Sequence, residues 1–223
     1  MTRSEINRLI EQAEASFLGR GLALPPWASW GPAEWRARPE EARFCAAHQM
    51  GWDITDFGSG RFAERGLVLL CTRNGIGGRA GERTYAEKLM IVGEAQETPF
   101  HCHRIKTEDI INRGGGVLIV EVMRAEAPDA PVRVLIDSRT REVGPRAPIR
   151  LSPGESITLV PGQMHRFYGE PGRGAVVAGE VSQVNDDLTD NIFLEPLGRF
   201  ATIEEDEPAH RPLWSELASL QGG

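Results

Sequence analysis

Five histidines occur in the 223 residues, and three of them fall into two compact clusters. The first is His101-Cys102-His103, with Glu108 five residues further on. In an extended strand, residues i and i+2 share a face, so His101 and His103 can reach one ion while Cys102 points the other way. Glu108 follows a short bend and can bring a carboxylate from the side. The second cluster is Pro161-Gly162-Gln163-Met164-His165, where a Pro-Gly reversal can present His165 from a neighbouring strand. Three imidazoles and one carboxylate would hold a single divalent metal and leave two adjacent positions open in a six-coordinate shell. That donor set suits Mn²⁺, with Co²⁺ or Fe²⁺ as related choices, better than a closed four-coordinate zinc site. His48 and His210 stand outside both clusters and are read as structural.

The elements that must position these groups are mainly strands. Short apolar runs at Leu67–Cys71, Tyr85–Val92, Val117–Met123, Val132–Ile136, Ser156–Val160 and Ala175–Val184 alternate with turn signals. These signals include Asn74-Gly75, Gly114-Gly115-Gly116, Asp137-Ser138-Arg139 and Pro153-Gly154, of which Asn-Gly is a strong hairpin cue. Helices are confined to the start of the chain. Thr2 and Glu5 have capping-box spacing ahead of Ile6, Leu9, Ile10, Ala13 and Phe17, and a second helix is expected over Glu40 to Met50. The pattern predicts a mainly β protein: one domain over 1–223, with a helical N-terminal part (1–50), an antiparallel barrel or jelly roll (51–193) and a tail (194–223) ending in a short helix. The acidic run Glu204 to Glu207 reads as a solvated turn. Two charges interrupt apolar strands, Lys88 in Tyr85–Val92 and Glu180 in Ala175–Val184. A charge there is costly unless paired or functional. Beside a dication a lysine is expected to titrate lower and a partly desolvated glutamate higher, which would suit both for moving protons. The plainer alternative is a structural ion pair, or a side chain facing solvent on the sheet exterior.

Composition narrows the field of functions. The net charge of −7 and a pI near 5.4 leave no basic stripe for nucleic acid. No apolar run approaches the roughly 18 residues of a membrane span, and the charged N-terminus does not resemble a secretory signal. Cys45, Cys71 and Cys102 form no CxxC pair, which fits reduced thiols and a cytoplasmic protein.

The two histidine clusters resemble the two cupin motifs, the second ending in Gly169 where many cupins carry Asn. A narrower resemblance runs from Gly51 to Phe193. The segments Thr98-Pro99-Phe100-His101-Cys102-His103 and Lys106-Thr107-Glu108-Asp109-Ile110-Ile111-Asn112-Arg113-Gly114-Gly115-Gly116 are similar to the D-lyxose isomerase family. So are Gly51-Trp52-Asp53-Ile54-Thr55-Asp56-Phe57-Gly58, Pro153 to Leu159, Gly179-Glu180-Val181-Ser182, Asn185-Asp186-Asp187 and Thr189-Asp190-Asn191. The resemblance implies a homodimeric, manganese-preferring aldose–ketose isomerase acting on the monosaccharides D-lyxose and D-xylulose, with D-mannose and D-fructose as secondary substrates. Under that reading His101, His103, Glu108 and His165 hold the metal and the open positions fit O1 and O2 of an open-chain sugar. Lys88 and Glu180 are then the candidate proton-transfer groups, and Lys106, Asp187 and Asp190 are candidates for holding sugar hydroxyls. Trp52 and Phe57 could stack on a sugar, although core positions suit them better. Two other functions share the ligand set: a cupin dioxygenase binding O₂ at Fe²⁺, and a sugar-binding cupin without turnover.

Overall fold

The computed structural model describes residues 1–221. Helix α1 (Arg3–Leu18) starts at the expected capping box, with Thr2 and Glu5 exchanging side-chain and backbone hydrogen bonds. A short α2 (Pro32–Arg36) precedes α3 (Pro39–Ala47), which ends three residues before the expected Met50. There Gln49 adopts a left-handed φ of 51°, and Gly51, at φ 138°, opens the first strand where a Cβ would meet Trp214 at 3.1 Å.

Thirteen strands follow among the described residues, in two antiparallel sheets. The first four are β1 (Gly51–Thr55), β2 (Leu67–Arg73), β3 (Tyr85–Val92) and β4 (Thr98–His103). Next come β5 (Glu108–Gly115), β6 (Leu118–Arg124), β7 (Val132–Ile136), β8 (Arg139–Val143) and β9 (Ile149–Leu151). The last are β10 (Ser156–Leu159), β11 (Gln163–Gly169), β12 (Val176–Gln183) and β13 (Asn191–Phe193). An eight-stranded sheet runs β1-β2-β3-β12-β5-β10-β7-β8, and a five-stranded sheet runs β13-β4-β11-β6-β9. The β4–β5 bend therefore crosses from one sheet to the other.

The interior between the sheets changes character along its strands. Val92 and Met90 on β3, Val176 and Ala178 on β12, Ile110 on β5 and Phe167 on β11 belong to one apolar core with Leu118, Val120 and Ile157. Two residues further along each strand, the same inward parity delivers Lys88, Glu180, Glu108 and His165. A side-chain period of two thus turns an apolar floor into a charged upper layer. The other face of the eight-stranded sheet is covered by α1, whose Ile6, Ile10, Ala13 and Phe17 pack on Trp52, Ile54, Val68, Leu70 and Val177. Each fully buried large side chain in that contact contributes about 1.5–3 kcal/mol. No helix among the described residues is long and apolar enough to cross a membrane.

Several local expectations are revised. The strand after Asn74-Gly75 does pair back on β2, but through a connection of eleven residues (74–84) rather than a two-residue turn, because the Asn74 side chain is buried in tertiary hydrogen bonds. The expected C-terminal helix is two 3₁₀ turns, Trp214–Glu216 and Ser219–Gln221. The acidic run is no free turn. Arg3 N–H donates to the Glu204 carbonyl, the Arg3 guanidinium is paired with Glu205 and Glu216, and Ser4 and Asn7 donate to Asp206 and Glu207. This carboxylate-rich stretch satisfies the first turn of α1 and ties the tail across it. Arg3→Leu should lower unfolding stability by about 1–3 kcal/mol, the usual cost of stranding partners of a charged hydrogen bond. Denaturant melts of parent and variant measure it, and an unchanged midpoint would show that the clasp contributes nothing.

Candidate metal centre and active site

The five-stranded sheet contributes the imidazoles. His165 on β11 is in register with His101 on β4, and His103 lies two residues along the same strand. The eight-stranded sheet contributes the carboxylates: Glu108 opens β5 opposite Ser182 of β12, and Glu180 is in register with Lys88 of β3. His101, His103, Glu108 and His165 each offer a ligand atom within 4.8 Å of the others.

Hydrogen bonds set the orientations of two of the histidines. His101 Nδ1 lies 2.9 Å from the Pro99 carbonyl and His165 Nδ1 3.0 Å from the Gln163 carbonyl, so each ring donates from Nδ1 and turns a bare Nε2 inward. His103 Nδ1 faces Asp190 Oδ2 at 3.6 Å. The inward Nε2 atoms of His103 and His165 reach Glu108 at 3.2 and 3.1 Å, yet both nitrogens are buried without a hydrogen-bond partner. Burial of such acceptors is unfavourable unless something binds them. A divalent cation fits this donor set, which is three imidazole nitrogens and one carboxylate.

The electrostatics favour the ligand forms. Burial, with His165 and His103 as neighbours, holds His101 well below the ordinary imidazole range, and burial likewise lowers His103. Burial opposes ionisation of Glu108, but Lys106 and His103 outweigh it and keep the carboxyl well below its usual range. Cys102 points outward into a small cluster with Met123 and Met164, as its strand parity requires.

Beside the cluster lies a chain of buried charges. Lys106 Nζ is 2.9 Å from Glu108 Oε2 and 2.8 Å from Glu180 Oε1, and Lys88 Nζ is 3.3 Å from Glu180 Oε2. Glu180 thus bridges two lysines with one oxygen each. Burial favours its neutral form, but Lys106 and Lys88 prevail and its pKa falls, opposite to the expected rise. The carboxylate is therefore charged, the form that can accept a proton. Lys88, Lys106, Glu180 and Asp187 line one narrow cavity with His101, His103 and Glu108. Phe57 lines it too, in edge contact with Phe193 at 5.9 Å. Trp52 is core: it stacks on Phe17 and donates to the Ala28 carbonyl at 2.8 Å.

Asp190 does not line that cavity. Its Oδ1 accepts the Arg104 and Ile105 amides, both at 2.9 Å, and its Oδ2 faces His103 from behind. Sequence reasoning missed Arg199. It enters the cavity from the tail, 2.6 Å from Asp53 and 3.2 Å from Asp187, and no local pattern marks it because both partners are remote in sequence or on another loop. Burial opposes its charge, yet Asp187 and Asp53 raise its pKa. His48 sits between the Phe44 carbonyl and Glu82, and His210 pairs with Glu11; neither belongs to the four-residue cluster.

Residues 1–217 match the profile of the family described as D-lyxose isomerase. The chain belongs to this family. It is 46% identical over 227 residues to the D-lyxose/D-mannose isomerase of Escherichia coli O157:H7, covering 99% of this chain and all of that protein. Its identity to the D-lyxose/D-mannose isomerase of Serratia proteamaculans is also 46%, over 224 residues, 96% of this chain and 95% of the relative. Among solved structures, the L-ribose isomerase of Cellulomonas parahominis with L-ribose superposes with a TM-score of 0.63 at 17% identity, covering 92% of this chain and 98% of that one. The L-ribose isomerase of Acinetobacter sp. DL28 gives 0.62 at 15% identity with the same coverage. These two likenesses establish the fold.

Two outcomes test the centre. Adding Mn²⁺ to metal-free protein should raise the melting temperature, because a ligand of the folded state stabilises it, and His103→Ala or His165→Ala should abolish the rise. An equal rise in either variant would place the ion elsewhere. Second, His101 and His103 titrate lower folded than unfolded, so below about pH 6.5 the unfolded chain binds more protons and stability falls with falling pH. Denaturant melts of metal-free protein from pH 7 to 5 should show that decline, reduced in His101→Asn; a flat profile would contradict the neutral histidines.

Proposed function

We propose that the chain interconverts D-lyxose and D-xylulose, and more slowly D-mannose and D-fructose, by proton transfer through an enediol. Mn²⁺ is the proposed resident ion, held by His101, His103, Glu108 and His165. Membership of the D-lyxose isomerase family supports the substrate class. The observation that carries the chemistry is that three members of the four-donor cluster, His101, His103 and Glu108, line one cavity with the buried Lys88–Glu180 pair. A bound divalent ion supplies a Lewis acid that polarises the sugar carbonyl.

The protein's own groups do the rest. Glu180, charged and desolvated, takes the proton from C2 of the aldose and returns it at C1, while the O2 hydroxyl proton passes to O1 in the enediol, which leaves the carbonyl at C2. Lys88 and Lys106, one on each oxygen of Glu180, aim the carboxylate and offer N–H donors to the oxygens on which negative charge develops. Asp187, kept below the usual carboxylate range by Arg199, Lys88 and Lys106 against the effect of burial, accepts hydrogen bonds from hydroxyls of the sugar chain. Phe57 and Phe193 close the cavity on the apolar side and limit water. D-Lyxose and D-mannose share configuration at C2 and C3, so a site that orients O1, O2 and O3 accepts both.

The test is turnover of a panel of pentoses and hexoses by Mn²⁺-loaded protein, with ketose assayed in deuterated water. Solvent deuterium is expected on the transferred carbon. Lys88→Ala and Glu180→Gln should retain metal and fold while losing on the order of 10²–10⁴ in rate. Parent-like rates in both variants would move the proton-transfer role elsewhere, and failure to isomerise any sugar would overturn the proposal.

A further inference from the structure

The two lysines share a second partner that belongs to neither the metal cluster nor the carboxylates. Asn185 Oδ1 accepts from Lys88 Nζ at 2.6 Å and from Lys106 Nζ at 3.3 Å. With Glu180 on the other side, the four side chains close a ring: Lys88, Glu180, Lys106, Asn185. Two like charges brought together in a buried space repel, and their separation is set by the acceptors between them. Glu180 is the acceptor that must be free to approach carbon. Asn185 holds both ammonium groups without adding charge to a cavity that already contains Glu108, Glu180 and Asp187.

Asn185 is itself fixed from outside. It lies in the 184–190 connection between β12 and β13, a stretch with no repeating hydrogen-bond ladder. Asn74, buried to 1% exposure, clamps it like a strand partner: Asn74 Oδ1 accepts the Asn185 N–H at 2.9 Å, and Asn74 Nδ2 donates to the Asn185 carbonyl at 2.9 Å. The same Nδ2 donates to the His48 carbonyl at 2.8 Å, anchoring the clamp to the end of α3. Gln49 completes the support, accepting the Asp187 N–H at 2.8 Å and donating to Asp186 at 3.1 Å.

We infer that Asn185 is a positioning residue for proton transfer, setting the placement of Lys88 and Lys106 around Glu180, and that Asn74 acts through it. The inference rests on the proposed role of the Lys88–Glu180 pair. It predicts that an isosteric variant without an acceptor, Asn185→Leu, leaves folding and metal content intact but reduces kcat about 10–100-fold, the scale expected for misplacing reacting groups by an ångström or less. KM should change less than threefold. Asn185→Asp, which retains an acceptor oxygen at the same place, should keep at least a fifth of the parent kcat. Asn74→Ala should reproduce part of the loss, and Asn74→Ala/Asn185→Leu should be no worse than Asn185→Leu alone, the non-additivity of residues acting in series.

A readout independent of turnover is the ¹⁵N NMR spectrum of lysine-labelled, metal-free protein. Buried hydrogen-bonded ammonium protons of Lys88 and Lys106 should exchange slowly in the parent and rapidly in Asn185→Leu. Lys88→Ala run in parallel separates the two levels. If Lys88→Ala loses activity while folded, metal-loaded Asn185→Leu keeps parent kcat and slow ammonium exchange, the positioning role is wrong and the proton-transfer reading stands. If Lys88→Ala itself is unaffected, the underlying reading fails. Additive losses in the double variant, or an Asn185→Asp as impaired as Asn185→Leu, would also overturn the inference.

Discussion

The constraint on which the site depends is charge burial: Glu108, Lys106, Glu180 and Lys88 sit in line inside a protein core, each within 3.3 Å of the next. Ions taken from water lose several kcal/mol of hydration, and only close partners restore it. Alternation of sign along the chain meets that demand. It also fixes protonation, since Glu108 and Glu180 stay anionic against the effect of burial and Lys106 stays cationic. The strand connections exist to make this line possible. Glu180 and Lys88 are register neighbours on β12 and β3, while Lys106 and Glu108 arrive from the bend that carries the chain between sheets.

A second consequence is division of labour within the barrel. The apolar floor of Met90, Ile110, Val120 and Ile157 supplies folding free energy, and the layer above it carries charges that cost stability. Support for that layer comes from outside the barrel. Arg199 arrives on the tail that clasps α1, and Asn74 and Gln49 arrive from the two connections beside α3. The N-terminal helices and the C-terminal tail are therefore parts of the site's scaffold.

Much of this was legible in the sequence, for identifiable reasons. The His-x-His pair, Glu108 and His165 could be read because strand parity fixes which side chains share a face. Lys88 and Glu180 stood out because each interrupts an apolar run, although Lys106, together with Lys88, reversed the expected direction of the Glu180 shift. What escaped reading lay in irregular chain. Arg199, Asn74 and Asn185 are placed by tertiary hydrogen bonds to residues distant in sequence, which leave no periodic signature, and Asn74-Gly75 mimicked a tight hairpin. The acidic run 204–207 looked solvated because its partners, Arg3, Ser4 and Asn7, lie at the opposite end of the chain.

The central claim is that one ion and one proton-transfer group act on the same C1–C2 bond. The most direct measurement is a crystal structure with Mn²⁺ and a non-isomerisable sugar alcohol, with anomalous data at the manganese edge. One anomalous peak enclosed by His101, His103, Glu108 and His165, with C1 or C2 of the ligand within about 3.5 Å of Glu180 or Lys88, is the result expected for a reactive pose. A peak away from those four residues, or a ligand whose C1–C2 bond is turned out of reach of both, would contradict it.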